Sequence, residues 1–227
     1  MAFDIAAYYD LDRLALEAEA DKGSFYHNYT KIYSQYFAPI RNQNLKILEI
    51  GVWQGASVRL WEGYFPNADL HFIDIDYSHL TYMPSRAHLH ICDQSNVSQL
   101  KSFVQKTGGD WDIIIDDGGH TMEQQQVSFK TLFPYLRSGG MYIIEDLHTS
   151  YWKEYGGKGG QMHPAAARDS TTEFLKRLID DINYVGARTA KANHDTDLHS
   201  ISSELTGYRN KILSLTFYDS LCIIVKR

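Results

Sequence analysis

Two short apolar runs that end in acidic residues constrain this chain more than any other feature. One is DIIIDD at residues 112–117, and the other is YIIED at residues 142–146. Runs of this kind are typical of buried parallel strands. In an open α/β sheet, ligands bind just beyond the carboxyl ends of such strands. The acidic residues are therefore predicted to lie at a binding site.

The positions of these acids predict a metal-dependent enzyme. Neighbouring strands lie about 5 Å apart, so Asp117, Glu145 and Asp146 can meet in one small volume. Clustered carboxylate oxygens suit a divalent cation such as Mg²⁺. His120 follows Asp117 by three residues, which places it within reach to act as a general base beside that cation.

The composition disfavours several classes of protein. The 227 residues include 28 acids against 22 Lys and Arg, a formal charge of −6 without a basic block, which disfavours nucleic-acid binding. No apolar stretch approaches the roughly 20 residues of a membrane span. Residues 1–10 lack the basic-then-apolar pattern of a secretion signal. We expect a cytoplasmic protein that binds neither nucleic acid nor membrane.

Strands and helices alternate from residue 45 onward. Five strands are predicted at Leu45–Ile50, Leu70–Ile75, His88–Cys92, Trp111–Ile115 and Met141–Ile144, the last after a turn at 138–140. Helices are predicted at 57–65, 97–106, 123–136 and 172–182. Two closely joined strands, 212–218 and 220–225, predict a carboxy-terminal antiparallel hairpin. The expected fold is α/β, with a doubly wound, Rossmann-like, mostly parallel seven-stranded sheet.

Two segments lie outside this alternation. Residues 1–44 are predicted to form a helical amino-terminal extension, because apolar and aromatic residues recur there at spacings of three and four. Residues 151–170 form a long irregular segment behind the second acidic strand end, where an active-site lid is expected. We expect one domain over 1–227, with its Rossmann-like core at 45–227.

The ends of the first three predicted strands indicate a nucleotide-type site. The first continues as ILEIGVWQG at 47–55, whose glycines have a G-x-x-x-G spacing rather than the G-x-G-x-x-G of dinucleotide sites. Asp74 lies at the tip of the second strand and can accept hydrogen bonds from ribose hydroxyls. Asp93 and Gln94 follow the third and could reach an adenine amino group. The set favours an adenosine ligand without a pyrophosphate and disfavours NAD.

Several further stretches are distinctive, among them DKGS at 21–24, DDGGH at 116–120, IEDLHTSYW at 144–152 and FYDS at 217–220. Together with the E-x-G-x-x-x-G turn, they resemble class I S-adenosylmethionine-dependent methyltransferases. More narrowly, the chain is similar to the metal-dependent macrolide sugar O-methyltransferases (the mycinamicin 2''-O-methyltransferase type). The similarity extends from about Asp21 to the end of the chain.

The resemblance implies a role for each matching residue. S-adenosyl-L-methionine would bind in a pocket formed by Glu49, Gly51, Gln54, Gly55, Asp74, Asp93, Gln94 and Asp117. Asp117, Glu145 and Asp146 would hold Mg²⁺, and His120 would be the catalytic base. Relatives often have Gly-Ser-His where this chain has GGH at 118–120. The macrolide enzymes also carry an additional amino-terminal domain, which we do not expect within these 227 residues.

The expected function is metal-dependent O-methylation of a sugar or polyol hydroxyl on a small natural product or glycolipid. Two vicinal hydroxyls could fill neighbouring positions around a magnesium ion. One alternative is a methyltransferase for catechol-like phenols, which would use the same metal chemistry. Another is a non-catalytic S-adenosylmethionine-binding protein. The expected partner is a small, glycosylated hydroxyl acceptor, and homo-oligomerisation is compatible with the aromatic amino-terminal helices.

Overall fold

The computed structural model describes residues 3–157, 169–187, 207–208 and 210–227. The strands are β1 (Lys46–Ile50), β2 (Asp69–Asp74), β3 (His88–Ile91), β4 (Trp111–Asp116), β5 (Leu136–Ile144), β6 (Ile212–Tyr218) and β7 (Leu221–Lys226). The helices are α1 (Ile5–Glu17), α2 (Thr30–Phe37), α3 (Ala56–Tyr64), α4 (Val97–Thr107), α5 (Met122–Leu132) and α6 (Thr171–Ala187). The predicted lid segment falls largely on residues 158–168, which lie outside the described residues.

The strands form one seven-stranded sheet in the order β3-β2-β1-β4-β5-β7-β6. Strands β1 to β5 pair in parallel, whereas β7 pairs antiparallel with both β5 and β6. This arrangement confirms the predicted Rossmann-like sheet and its carboxy-terminal hairpin. In the described part of the chain, no helix is both long enough and apolar enough to cross a membrane.

Helices cover both faces of the sheet because alternate strand residues point to opposite sides. On one face, Ile47 and Ile143 join Tyr33, Phe37 and Trp61 from α2 and α3 in one apolar cluster. On the other face, a second cluster includes residues of β1, β4 and β5 together with residues of α4, α5 and α6. The amino-terminal extension therefore belongs to the packed core of the protein.

The register of the central strands aligns the ends that matter for a binding site. Ile50 of β1 pairs with Asp116 of β4, and Asp116 pairs with Ile144 of β5. The next residue along each strand consequently lies at the same edge of the sheet. This is how Gly51, Asp117 and the Glu145-Asp146 pair come together.

Two predicted helix ends are wrong. The helix expected over 172–182 continues to Ala187. The helix expected over 123–136 ends at Leu132, and a 3₁₀ turn over Phe133–Tyr135 follows it. Pro134 has no N–H to continue the α-helical hydrogen bonds. Strand β5 begins at Leu136, so the turn expected at 138–140 lies inside the strand. A register irregularity opposite Trp111 and Ile113 and a positive φ of 78° at Gly139 mark that place.

Candidate active site

Backbone hydrogen bonds extend the parallel pairing by one residue beyond the strand ends. The N–H of Asp117 donates to the carbonyl of Ile50 at 3.0 Å, and the N–H of Glu145 donates to that of Asp116 at 3.0 Å. These bonds fix the backbone from which the acidic side chains project.

Asp117, His120 and Asp146 converge beyond this edge. One potential ligand atom from each lies within 4.8 Å of the others. Nε2 of His120 is 3.4 Å from Oδ2 of Asp146 and 4.0 Å from Oδ1 of Asp117. The predicted base therefore faces two of the predicted metal ligands. Two carboxylates with an adjacent imidazole are a donor set that fits a divalent cation.

The backbone at two of these residues has an unusual conformation. His120 and Asp146 have φ values of 56° and 55°, in the left-handed region that most side chains avoid. The single hydroxyl proton of Thr149 is shared between the carbonyl oxygens of His120, at 3.0 Å, and Asp146, at 2.8 Å. This shared hydrogen bond links the two turns, and backbone held in such a conformation is characteristic of functional sites.

A buried lysine lies beneath the acidic cluster. The Lys22 ammonium is 3.0 Å from Glu145 and 3.3 Å from Oε1 of Glu49, and it also forms an ion pair with Asp117. Its side chain is completely buried. Burial alone would lower the pKa of Lys22, but the three carboxylates outweigh it and hold that pKa well above its usual value. Lys22 is thus a fixed positive charge.

Asp12 anchors the segment that carries Lys22. Although 94% buried, its carboxylate accepts hydrogen bonds from the Ser24 N–H at 2.7 Å, the Ser24 hydroxyl at 2.6 Å and the Thr30 hydroxyl at 2.8 Å. The N–H of Thr30 in turn donates to the carbonyl of Lys22 at 3.0 Å. Helix α1 therefore determines where the lysine enters the site.

Two tyrosines of the extension bind the acids of β5. The hydroxyl of Tyr33 donates to Glu145, and that of Tyr29 donates to Oδ1 of Asp146 at 2.7 Å. Burial and the nearby Asp117 raise the pKa of Glu145 well above its usual value. Burial would also raise the pKa of Asp146, but His120 and the Tyr29 hydrogen bond lower it overall. Asp146 is therefore the more readily ionised of the pair.

Glu145 differs from the other predicted ligands. Its carboxylate is almost fully buried and is engaged by both Lys22 and Tyr33. Asp117 and Asp146 retain 19% and 16% exposure of their side chains. Asp117 and Asp146 are thus the more accessible carboxylates, and the role of Glu145 as a ligand stays a prediction.

A cavity of about 550 Å³ adjoins Asp117 and runs along the ends of β1, β2 and β3. Six of the predicted cofactor residues line it: Gly51, Gln54, Asp74, Asp93, Gln94 and Asp117. Gly51 has a φ of 98°, and a Cβ there would overlap the carbonyl oxygen of Asp117. Only glycine allows these two strand ends to approach so closely.

Side chains at the cavity also hold its walls. One oxygen of Asp74 accepts from the N–H groups of Val52 at 2.7 Å and Trp53 at 3.2 Å, which fixes the glycine turn. The amide of Gln94 donates to Asp116 at 3.0 Å and accepts from the Gly119 N–H at 2.7 Å. Gln94 therefore braces the turn after β4, and its contact with adenine stays a prediction.

Two predicted cofactor residues do not line the cavity. Glu49 is completely buried on the opposite face of β1 from Leu48 and Ile50, where its partner is Lys22. Gly55 caps the amino end of α3 with a φ of 90° and packs against Leu80 and Tyr82. Both residues support the site from outside the described cavity wall.

Sequence reasoning missed three residues of the site: Lys22, Tyr33 and Asp116. The turn at 21–24 is distinctive in sequence, but lysine is rarely buried and no neighbouring residue indicates a partner for Lys22. The completely buried Asp116 accepts hydrogen bonds from Gln94, Ser128 and Tyr142, and burial raises its pKa to about 6. The pair of acids at 116–117 was the signal for Asp116. Because successive residues of a strand point to opposite faces, only one of the two can join the cluster and the other needs partners on the opposite side.

Comparison with known proteins gives this geometry a context. The model of a methyltransferase domain family matches residues 48–147, which include the glycine turn, most of the cavity wall and the acidic strand ends. The chain carries a methyltransferase domain. The resemblance to methyltransferases that its motifs predicted is thereby confirmed.

The relatives of this methyltransferase domain are enzymes named for acting on glycosylated natural products. It is 36% identical over 226 residues to mycinamicin VI 2''-O-methyltransferase of Micromonospora griseorubida, covering 96% of this chain and 52% of the relative. It is 35% identical over 215 residues to L-olivosyl-oleandolide 3-O-methyltransferase of Streptomyces antibioticus, covering 89% and 55%. The chain thus spans about half the length of these relatives.

A solved structure has the same fold. The MycE methyltransferase of the mycinamycin biosynthetic pathway, crystallised in complex with Mg and SAH, matches with a TM-score of 0.79 and 31% identity. The match covers 96% of this chain and 53% of that one.

Proposed function

We propose that this chain is a metal-dependent O-methyltransferase that moves a methyl group from S-adenosyl-L-methionine to a sugar or polyol hydroxyl of a small natural product. The observation that carries the proposal is the position of Asp117. Its carboxylate belongs to the acidic cluster with His120 and Asp146, and Asp117 is also one of the residues that line the adjoining cavity. A methyl donor in the cavity would therefore lie next to a cation at the cluster.

The residues present fit both groups. Asp117 and Asp146 supply the hard oxygen ligands that magnesium prefers, with Glu145 beside them. The cavity has a glycine turn on one wall and the acids Asp74 and Asp93 on another, which suits a nucleoside. The names of the relatives and the Mg and SAH of the MycE structure support the same assignment.

The mechanism follows from what these side chains can do. When bound, Mg²⁺ lowers the pKa of the acceptor hydroxyl, and S-adenosylmethionine supplies a methyl group activated by its sulfonium. Nε2 of His120 faces the cluster and is the atom placed to accept the hydroxyl proton as the new C–O bond forms and the C–S bond breaks. Lys22 offsets part of the charge of the surrounding carboxylates.

An aromatic wall next to His120 favours a sugar as the acceptor. The ring of Tyr155 lies 6.3 Å from that of His120, and Trp152 lies 6.0 Å from Tyr155 and 4.5 Å from His148. Trp152 is 49% exposed. Aromatic faces of this kind pack against the apolar face of a sugar ring, and the relatives named above are sugar O-methyltransferases.

A methyl-transfer assay with radiolabelled donor tests the proposal. We expect transfer to a macrolide that bears a sugar with vicinal hydroxyls, loss of transfer on chelation, and recovery with Mg²⁺. Catechol as the preferred acceptor would favour a phenol methyltransferase. Binding of S-adenosylhomocysteine without transfer to any acceptor would favour a non-catalytic binding protein. Transfer that survives complete chelation would refute the metal role.

A substitution tests the base. His120→Ala should lower kcat about 100-fold or more while changing the affinity for S-adenosylhomocysteine little, because the imidazole acts on the acceptor proton. Equal losses in kcat and in cofactor affinity would contradict this role.

A further inference from the structure

A second cluster of potential metal ligands lies near the amino-terminal ends of β2 and β3, whereas the proposed active site lies beyond the carboxyl ends of the strands. It consists of Asp69 and His71 on β2 and His88 on β3. Asp69 and His71 are two residues apart on one strand, so their side chains point to the same face. His71 pairs directly with His88 in the parallel register, which places His88 beside them.

The distances within this cluster suit a small cation. Nε2 of His71 is 3.0 Å from one carboxylate oxygen of Asp69, and Nε2 of His88 is 3.4 Å from the other. One ligand atom from each residue lies within 4.8 Å of the others. Ligands about 2.0–2.2 Å from a tetrahedral metal are separated by roughly 3.5 Å from one another.

The imidazole of His71 has one nitrogen without a hydrogen-bond partner, which is available to bind a metal. His71 is 92% buried, and its Nε2 makes no hydrogen bond in spite of its closeness to Asp69. Its other nitrogen, Nδ1, lies 3.1 Å from Nε2 of His90. A proton donated from Nδ1 to His90 leaves Nε2 unprotonated, so its lone pair is available to a cation held beside the Asp69 carboxylate. Ligating histidines are usually oriented by such a second hydrogen bond.

The charge of Asp69 is also left for a cation to neutralise. Among the described residues, its ion-pair partners are the two histidines, and no lysine or arginine is paired with it. Nearby Lys46 donates instead to the carbonyls of Thr107 and Gly109 and lies 4.6 Å above the Trp111 ring.

We propose that Asp69, His71 and His88 bind a divalent transition metal, with Zn²⁺ as the best match. Two imidazoles and one carboxylate favour zinc over magnesium, which prefers oxygen ligands alone. His88 and Asp69 are 59% and 52% exposed, so solvent can supply the remaining ligand. The metal would join the edge strand β3 to β2 at one end, while the other end of β3 leads to Asp93 and Gln94 in the cavity wall.

Metal titration of the purified 227-residue chain tests this site. Mg²⁺ in excess is present throughout to compete for the carboxylates near His120, and Zn²⁺ binding is followed by calorimetry and Co²⁺ binding by absorption. We expect Asp69→Asn and His88→Ala to weaken Zn²⁺ binding tenfold or more and to remove the Co²⁺ bands. The exposed His79 lies outside both clusters, so His79→Ala should leave binding unchanged. Asp146→Asn should leave it unchanged as well.

Two outcomes would overturn the proposal. One is equal zinc affinity in the unaltered chain, Asp69→Asn and His88→Ala. The other is loss of zinc binding in Asp146→Asn alone, which would place the metal at the acidic cluster. Circular dichroism of each variant distinguishes loss of the metal site from loss of the fold. Because Asp69 and His88 are exposed, we expect both variants to remain folded.

Discussion

The ammonium of Lys22 lies 3.3 Å from Oε1 of Glu49, and both side chains are completely buried. This pair joins the amino-terminal extension to β1 beneath the proposed active site. Burial and the nearby Asp117 raise the pKa of Glu49 to about 7, although Lys22 opposes this shift. The Lys22 ammonium is therefore the positive charge that balances the carboxylates of Glu49, Asp117 and Glu145.

Removing the Lys22 ammonium should destabilise the fold. Lys22→Met leaves Glu49, Asp117 and Glu145 together without their positive partner, and we expect a loss of about 3–5 kcal/mol in the free energy of unfolding. Urea denaturation measures it. The exposed Lys101→Met is the control and should change little. Adding Glu49→Gln to Lys22→Met should restore part of the loss, and no recovery would contradict the charge argument.

The hydroxyl of Tyr29 should matter for turnover. Its 2.7 Å hydrogen bond to Asp146 orients a proposed metal ligand, so Tyr29→Phe should lower kcat about tenfold, equivalent to about 1.4 kcal/mol. Tyr36→Phe is a matched control, because that hydroxyl bonds to Tyr218 at 2.7 Å and not to an acid of the site. Similar effects of the two substitutions on kcat would count against the role of Tyr29.

A methyl group at Gly51 should damage the cavity. Gly51→Ala combines a φ of 98° with overlap of the Asp117 carbonyl, so S-adenosylhomocysteine binding should weaken more than tenfold. Gly139→Ala separates the two effects, since φ is 78° there but no atom lies within 4 Å of an added Cβ. This control should cost about 1–2 kcal/mol of stability and leave cofactor affinity intact. Calorimetry would contradict the prediction if both variants bound equally well.

Glu62 should make stability depend on pH in the acid range. Burial would raise its pKa, but hydrogen bonds from the Tyr82 hydroxyl and the N–H groups of Arg86, Ser85 and Ala87 outweigh it and lower the pKa to about 2. A lowered pKa means that this stabilisation is present above the ordinary value of 4.5 and is lost as pH falls toward 2.

The Glu62→Gln variant isolates this contribution. It should be less stable than the unaltered chain by about 1 kcal/mol at pH 7, since solvent screens this partly exposed group. The difference should shrink below pH 4.5. Unfolding free energies measured across the range would contradict the assignment if the difference stayed constant.

Most of the fold could be predicted because its signals are local. The apolar runs of β1, β4 and β5 are long enough to mark buried strands, and the acids that follow them mark the strand ends. The boundary at Leu132 was missed because an amphipathic pattern continues through Phe133 even though Pro134 ends the helical hydrogen bonds. The pattern of apolar residues does not reveal that interruption.

The site was predicted less completely because it depends on distant contacts. The family resemblance implied that Glu49 lines the cofactor pocket, but alternation along β1 turns its side chain toward the extension instead. Lys22 was missed for the complementary reason, since nothing near it in sequence indicates its three carboxylate partners. The metal ligands, the catalytic base, the oligomeric state and the cellular location all stay predictions.

Lys22 and its carboxylate partner Glu145 are far apart in sequence, so they are also synthesised at different times. Lys22 and Glu145 are separated by 123 residues, so a ribosome completes most of the chain before the ammonium can meet that carboxylate. Closing so long a loop is slow compared with forming local helices. Assembly of the reaction centre should accordingly be a late event in folding, after the extension has docked on the sheet.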